Sequence, residues 1–478
     1  MMPGPRVSKQ DRTLLNRLSF GITPALVADM QAAGNAKQWM TQQMQPQQVK
    51  DITAARMTTW FPVLSKTPQQ QYRDFLTGTA TVYDMGIQLG NWTILRRAYS
   101  KRQLLEVMVS FWSDMLHIPV SETKSWPLRI SYDMTIRKHA LGRFDDLLVA
   151  VETHGAMGAF LDNATSTTTK LNENLGRETL ELHTVGINAG YTEAEVVDSA
   201  RILTGYRVDL NNTWSGYYSP QDHYVGRVQV LGFASENMST NGQPSAEAYL
   251  RYLARHPQTA LRLARRLCQR LVSDAPSPAL VQAVAEAYSA SETDVKATLR
   301  ALVSHPEFAA SADRKVKTPT EDLVSTYRAL GIVAKPPASS TDLANVAVLQ
   351  AASMGQRPFG WPRPDGPPDV GHAWASVSRV LASWYVHYGA AERWTPATGC
   401  TYADPTSWLP SLPAAVSDII RQAAQVLLCR GLSAVEMAAI AKRIGLLPSA
   451  RVTRAEMSDW RIGLMLAGLL DSPAHMMR

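Results

Sequence analysis

The densest group of reactive side chains lies in residues 172–186, where Glu173, Arg177, Glu178, Glu181 and His183 fall within about three helical turns and Gly186 ends the run. Two carboxylates on one face beside a guanidinium can be driven to different pKa values. The guanidinium holds one ionised, while burial and its like-charged neighbour raise the other. That division of labour is what glycosidic bond cleavage needs: an acid to protonate the leaving oxygen and a base or nucleophile facing it. Glu178 and Glu181 are therefore the candidate acid–base pair, with Glu173 and Arg177 as candidate substrate or tuning groups. On a regular helix, at about 100° per residue, Glu173, Arg177, Glu178 and Glu181 share one arc of about 140°. His183 falls on the opposite, apolar side, where it is expected to be a hydrogen-bonded core histidine or at most a binding residue.

Neighbours on one helix stand side by side, so a second wall must supply an opposing carboxylate. Asp222, in a loop with His223, and Asp365 or Asp369, in a loop with Trp361, are the candidates. Tyr206, Trp214, Tyr217, Tyr218 and Tyr224 are aromatic groups on which a sugar could stack. The competing reading of the same face is an ion-paired surface, because Glu173 to Arg177 and Arg177 to Glu181 both have i to i+4 spacing. A carboxylate-bridged metal site is a third reading. It is weakened because Glu181 and His183 are two residues apart, not the three of the Glu-x-x-His pair that such sites use. No metal or other cofactor is expected from the sequence.

These residues must be positioned by helices. Apolar residues recur at helical spacing through most of the chain, for example Leu104, Val107, Met108, Phe111, Trp112 and Met115. Residues 11–44 read as a helical hairpin, with Thr23 as a cap before Pro24; a longer helix runs from about Ile94 to Met115, residues 128–161 add another pair, and one helix spans residues 414–428. Thr192 and Glu195 form a capping box that opens the next helix. Two segments break the pattern. Residues 206–244 are rich in Asn, Gly, Ser and Tyr and read as an irregular insertion with at most a small β-hairpin; residues 355–369 are too rich in proline and glycine for helix or central strand. The expectation is a single large all-α, bundle-like domain over residues 1–478. Residues 1–50 would pack on it, and the two irregular loops would form the site.

Composition narrows the classes. Apolar residues make up 45% and charged residues 19%, which describes a globular chain and not a disordered one. The net charge of +7 comes from 48 basic and 41 acidic residues dispersed along the chain, with no nucleic-acid motif, so a nucleic-acid partner is not expected. No apolar run is long enough for a membrane span, and the start at Met1 shows no signal-peptide pattern. Cys268, Cys400 and Cys429 are too few and too far apart for a zinc motif and read as buried thiols. No nucleophile elbow, phosphate-binding loop or zinc helix is present.

Several stretches together resemble the bacterial domain-of-unknown-function family 1800. They are residues 15–21, Asn172-Glu173-Asn174 with Arg177-Glu178 and Glu181 to Gly186, residues 191–205, His256-Pro257, residues 315–319 and the 355–369 loop. The resemblance implies a mostly helical bacterial protein, often exported to the periplasm or beyond, and often encoded beside a sulfatase-like partner. It brings no mechanism. Many members carry Trp-His-Asn-His-Phe where this chain has Trp112-Ser113-Asp114-Met115-Leu116, so no metal site is transferred. The leading expectation is an exported hydrolase acting on a carbohydrate. The alternatives are a non-catalytic scaffold for a sulfatase-like protein and a carboxylate-bridged metalloenzyme.

Overall fold

Caps and prolines set the helix starts. Thr23 accepts from the Leu26 amide ahead of Pro24–Ala33, and Thr192 and Glu195 close a capping box on Glu193–Ile202. Pro257, Pro278, Pro306 and Pro319 each occupy the first helical position behind a capping side chain. In this computed structural model, which describes residues 7–478, the chain is mainly α-helical. Its strands form only two-stranded antiparallel ladders. The start at Met1 to Pro5, read above for a signal peptide, lies outside the described residues.

One apolar core runs from Leu14 to Leu470 and takes in residues from both irregular segments, among them Trp214 and Phe359. The N-terminal segment is three short helices, Lys9–Arg17, Pro24–Ala33 and Ala36–Gln43, instead of a hairpin. It is pinned to distant chain, with Arg12 2.7 Å from Asp313 and Arg17 donating to the Ser311 carbonyl at 2.7 Å. The apolar run read as one helix from Ile94 is interrupted, giving Val82–Tyr99 and Gln103–Met115. The cause is polar: the Gln103 amide donates to the Arg97 and Ser100 carbonyls, and Asp51 accepts from Ser100 and the Lys101 amide. Those bonds satisfy the carbonyls a helix end leaves open. Residues 128–161 likewise hold three helices, Arg129–His139, Phe144–Glu152 and Gly155–Phe160. The Val416–Leu427 helix lies where residues 414–428 were read.

The 206–244 segment carries two ladders, Tyr206–Val208 with Gly216–Tyr218 and Val228–Val230 with Phe233–Ser235. The 355–369 loop has neither helix nor strand but is firmly seated. The Val120 amide donates to the Phe359 carbonyl at 2.8 Å, Thr320 bonds Gln356 twice, and the Arg129 guanidinium lies 4.2 Å from the centre of the Phe359 ring. Beneath it, Arg270 contacts Asp114, Asp369 and Glu321, and Arg478 pairs with Glu321 at 3.0 Å. The lattice of buried charges fixes the loop's far end to the Pro257–Leu271 helix, since Asp369 also binds Arg266 at 3.0 Å.

Candidate functional site

The helix Asn174–Glu178 does not continue as a regular helix to Gly186. It runs into a π-helical turn, Thr179–His183. Local bonds explain the widening: the Thr179 hydroxyl donates to the Leu175 carbonyl and to Glu152, the Thr184 hydroxyl reaches back five residues to the Thr179 carbonyl, and the Gly186 amide bonds the Leu180 carbonyl. Gly186 closes the turn at φ +88°, a conformation that glycine adopts without strain. Gly176 lets the Glu193–Ile202 helix approach, since a Cβ there would lie 2.5 Å from the Ala200 nitrogen.

The π-turn corrects the helical-wheel expectation for His183. Five residues of regular helix turn through about 500°, which separates positions 178 and 183 by about 140°. A turn closed by i to i+5 bonding instead brings those positions onto one face. His183 accordingly lies close enough to Glu178 to stabilise its charge. Its own Nδ1 sits 2.7 Å from Oε1 of Glu152, both side chains being almost wholly buried. The approach lies off the line of a hydrogen bond, so it is a close polar contact between two buried groups. The Thr179 hydroxyl fixes the other oxygen of Glu152 at 2.8 Å. A buried carboxylate thus orients an imidazole beside a half-buried glutamate.

Burial raises the Glu178 pKa; His183 opposes the rise, while Glu181 and Asp365 add to it. Asp365, on the 355–369 loop, contributes the weakest of these influences. Asp365 is held by the Trp361 indole N–H at 3.0 Å and by Arg363 at 2.9 Å. Asp365 also acts on His117, whose pKa burial pushes down to about 4. His117 Nε2 is 2.9 Å from the Trp361 carbonyl and Nδ1 is 3.3 Å from the Ser113 carbonyl, so a neutral ring can satisfy only one of the two. Behind it, burial pushes Asp114 up to about 6, against the pull of Arg270 and Arg97. Gly366, at φ +70°, rests directly on the Asp114 carbonyl.

Two groups are thus joined by contacts, Glu152 with His183 and Trp361 with Asp365 and His117, and Glu178 responds electrostatically to His183 and, most weakly, to Asp365. Glu173, Arg177 and Glu181 form an ion-paired face: Arg177 lies 3.2 Å from Glu173, 3.7 Å from Glu181 and 2.7 Å from Glu193. Asp222 pairs with Arg207 at 3.5 Å. His223 is a buried brace, with Nδ1 3.0 Å from the Thr204 carbonyl and Nε2 3.1 Å from the Asn237 side chain. Asp369 belongs to the Arg266–Arg270 lattice. Tyr206, Trp214, Tyr217 and Tyr218 line an open cleft of about 890 Å³ with His154 and Arg207, and among the described residues no carboxylate lines it. Tyr224 instead lies under the Arg201 guanidinium.

A second constellation, Asp322, His387 and His475, has metal-ligand spacing, with donor atoms within 4.8 Å of one another. Its bonding argues for an ion network. Both His387 nitrogens face carboxylates, Asp322 at 3.0 Å and Asp471 at 2.9 Å. Burial opposes the His387 charge, but Asp322 and Asp471 outweigh it and lift the pKa to about 9. Arg379 adds a further positive charge 3.2 Å from Asp322, and Lys317 reaches the same group through Ser325 at 2.9 Å. A divalent ion would have to displace the His387 proton while facing two fixed cations.

A family model described as a protein of unknown function, DUF1800, matches residues 13–477, and the chain belongs to that family. No curated protein and no solved structure matches it.

Proposed function

We propose, from the premise that this DUF1800 chain keeps its family's exported setting, that it is a hydrolase cleaving a glycosidic bond in a poly- or oligosaccharide by acid–base catalysis. Glu178 is the acid. Burial raises its pKa, the direction that favours holding the proton a leaving oxygen must receive. Asp365, carried on the facing loop, is the carboxylate that activates water or attacks the sugar, and Trp361 positions it through the indole N–H. His183, oriented by Glu152, stands next to Glu178 and stabilises its anion after proton transfer. The observation that supports this reading is the half-buried Glu178 at the head of the π-turn that ends in His183, itself held by the buried Glu152, with burial raising the Glu178 pKa. Relative to the sequence expectation, the pair shifts from Glu178 with Glu181 to Glu178 with Asp365, and Asp222 takes no part.

The test is a panel of polysaccharides assayed for released reducing ends, with Asp365→Asn beside the wild-type chain. Release that is lost in Asp365→Asn supports the assignment; equal release by both proteins sinks it. Placement outside the cytoplasm rests on the family resemblance and is checked by fractionating the native host.

A second reading, a helical scaffold for a sulfatase-like partner, is favoured by one observation. Val377, Leu381, Trp384 and Tyr385 form an exposed apolar stripe on the Val377–Ala391 helix. Among the described residues no helix is long and apolar enough to cross a membrane. Co-purification with the neighbouring sulfatase-like protein, abolished by Trp384→Glu with Leu381→Glu, would favour the scaffold.

A further inference from the structure

A cavity of about 60 Å³ lies under the 355–369 loop, lined by His117 and by Trp361, whose indole N–H also holds Asp365. A water needs roughly 10–15 Å³ of such space, so the cavity admits a group of a few heavy atoms. Two of its walls are arginines. Arg97, on the Val82–Tyr99 helix, is 6% exposed, and among the described residues its guanidinium has no hydrogen-bond acceptor and no ion-pair partner, only the face of Phe20 at 5.2 Å. Arg357, on the loop, likewise has no acceptor: its Nε is buried and unpaired, and its guanidinium lies over the Tyr83 ring at 5.3 Å.

Asp114 attracts Arg97, but no carboxylate of the described residues makes an ion-pair contact with either arginine. Asp114 also lines the cavity, but it is already 3.2 Å from Arg270. In the lattice behind the cavity, Asp114, Glu321 and Asp369 face Arg266, Arg270 and Arg478 one for one, which leaves Arg97 and Arg357 in excess. A buried guanidinium without an acceptor is costly, and a planar or tetrahedral oxyanion is the partner its fork of donors fits.

We infer that this cavity is a subsite for a compact oxyanion carried by the substrate, so the saccharide is an acidic one bearing a carboxylate or a sulfate ester. The inference rests on the glycosidase reading for the word saccharide, and on Arg97 and Arg357 alone for the charge. The anion sits between the two guanidiniums, with the sugar ring leading out past Trp361 toward Glu178 and Asp365. Neutral glycans leave both arginines unpaired and are poor ligands.

The experiment is calorimetric titration of the full chain with glucuronate, glucose 6-sulfate, inorganic sulfate and glucose. Saturable binding of one or both sugar anions is expected, with glucose at least about tenfold weaker, the scale of one charge-assisted hydrogen bond. Which sugar anion binds more tightly identifies the source of the oxyanion. Arg357→Gln is expected to weaken binding about tenfold or more, and Arg97→Lys, which keeps the charge but loses the fork, by a comparable factor. If Arg97→Lys does not fold, Arg357→Gln on the loop still decides. Glucose binding as tightly as glucuronate, or an Arg357→Gln protein with unchanged affinity, overturns the inference; so does inorganic sulfate binding more tightly than either sugar anion, which would make this an ion site only. Binding needs no turnover. A wild-type chain that binds glucuronate yet cleaves nothing therefore contradicts the hydrolase reading alone, and one that cleaves neutral glycans without regard to charge contradicts this one alone.

Discussion

Removing the Glu152 carboxylate is the perturbation whose consequence is best defined by the structure. In Glu152→Ala the 2.7 Å contact with His183 Nδ1 disappears, and both groups lie in an environment with almost no solvent. Thr179 loses one acceptor at 2.8 Å but keeps the Leu175 carbonyl at 2.7 Å, so its share of the loss is small. The main cost is a buried imidazole whose Nδ1 has no partner, plus the cavity left by the side chain. Breaking a buried pair from one side costs about 3–5 kcal/mol. The first transition in urea should move to lower denaturant by a corresponding amount with little change in slope. Replacing both partners, Glu152→Leu with His183→Leu, removes the unpaired group as well and should be milder than Glu152→Leu alone. A coupling energy of about 1–3 kcal/mol in the double-mutant cycle is the expected result. If hydrolysis runs through this site, Glu152→Ala should also lower turnover by about 10²-fold or more, because the imidazole beside Glu178 is no longer fixed. A single substitution costing under about 1 kcal/mol, together with zero coupling, would refute the reasoning, since it would mean the two groups do not interact.

Other outcomes follow from the same geometry. Gly366→Ala places a Cβ 1.7 Å from the Asp114 carbonyl at φ +70°, so the loop must shift; lower thermal stability and faster proteolysis within residues 355–369 are expected, and unchanged values for both would contradict the loop's placement. Arg177→Ala removes only a partly exposed ion-pair cluster and should cost no more than about 1 kcal/mol by urea unfolding, in contrast to the buried Glu152. Asp222→Asn should leave any hydrolysis within about threefold, because Asp222 is engaged by Arg207; a loss of 10²-fold or more would restore it as a catalytic candidate. Burial holds His117 and His154 neutral down to about pH 4, whereas an unfolded imidazole takes up its proton near about 6.5. Between those values the unfolded chain binds more protons, so these groups make stability fall as pH falls; thermal scans should show a shallower fall in His117→Asn, and an identical slope would count against the burial argument.

Much of the fold was legible because its signals are local. Thr23 before Pro24 and the Thr192–Glu195 box are short-range patterns, and each begins a helix in the structure. The break after Tyr99 was not legible, because it depends on Asp51, which lies about fifty residues away in the chain and approaches only in the folded state. The candidate site shows the same division. The cluster in residues 172–186 and the 355–369 loop stood out by composition, but their register did not. The π-turn has no signature in a helical wheel, and it changes which side chain faces Glu178. Glu152 and Asp114 lie in apolar helical runs and look like ordinary buried-face residues; nothing in the sequence marks them as partners of His183 or as neighbours of Arg97. His117 was visible only through its position next to the departure at residues 112–116.

The central claim is that Glu178 is the proton donor of a glycosidase. It is tested most directly by measuring reducing-end release by the wild-type chain and by Glu178→Gln on a polyuronate or sulfated glycan, with unfolding curves showing both proteins folded. Release by the wild type and a loss of about 10²-fold or more in Glu178→Gln are expected. Equal release by the two proteins, or none by wild type on any acidic or neutral glycan, would contradict it.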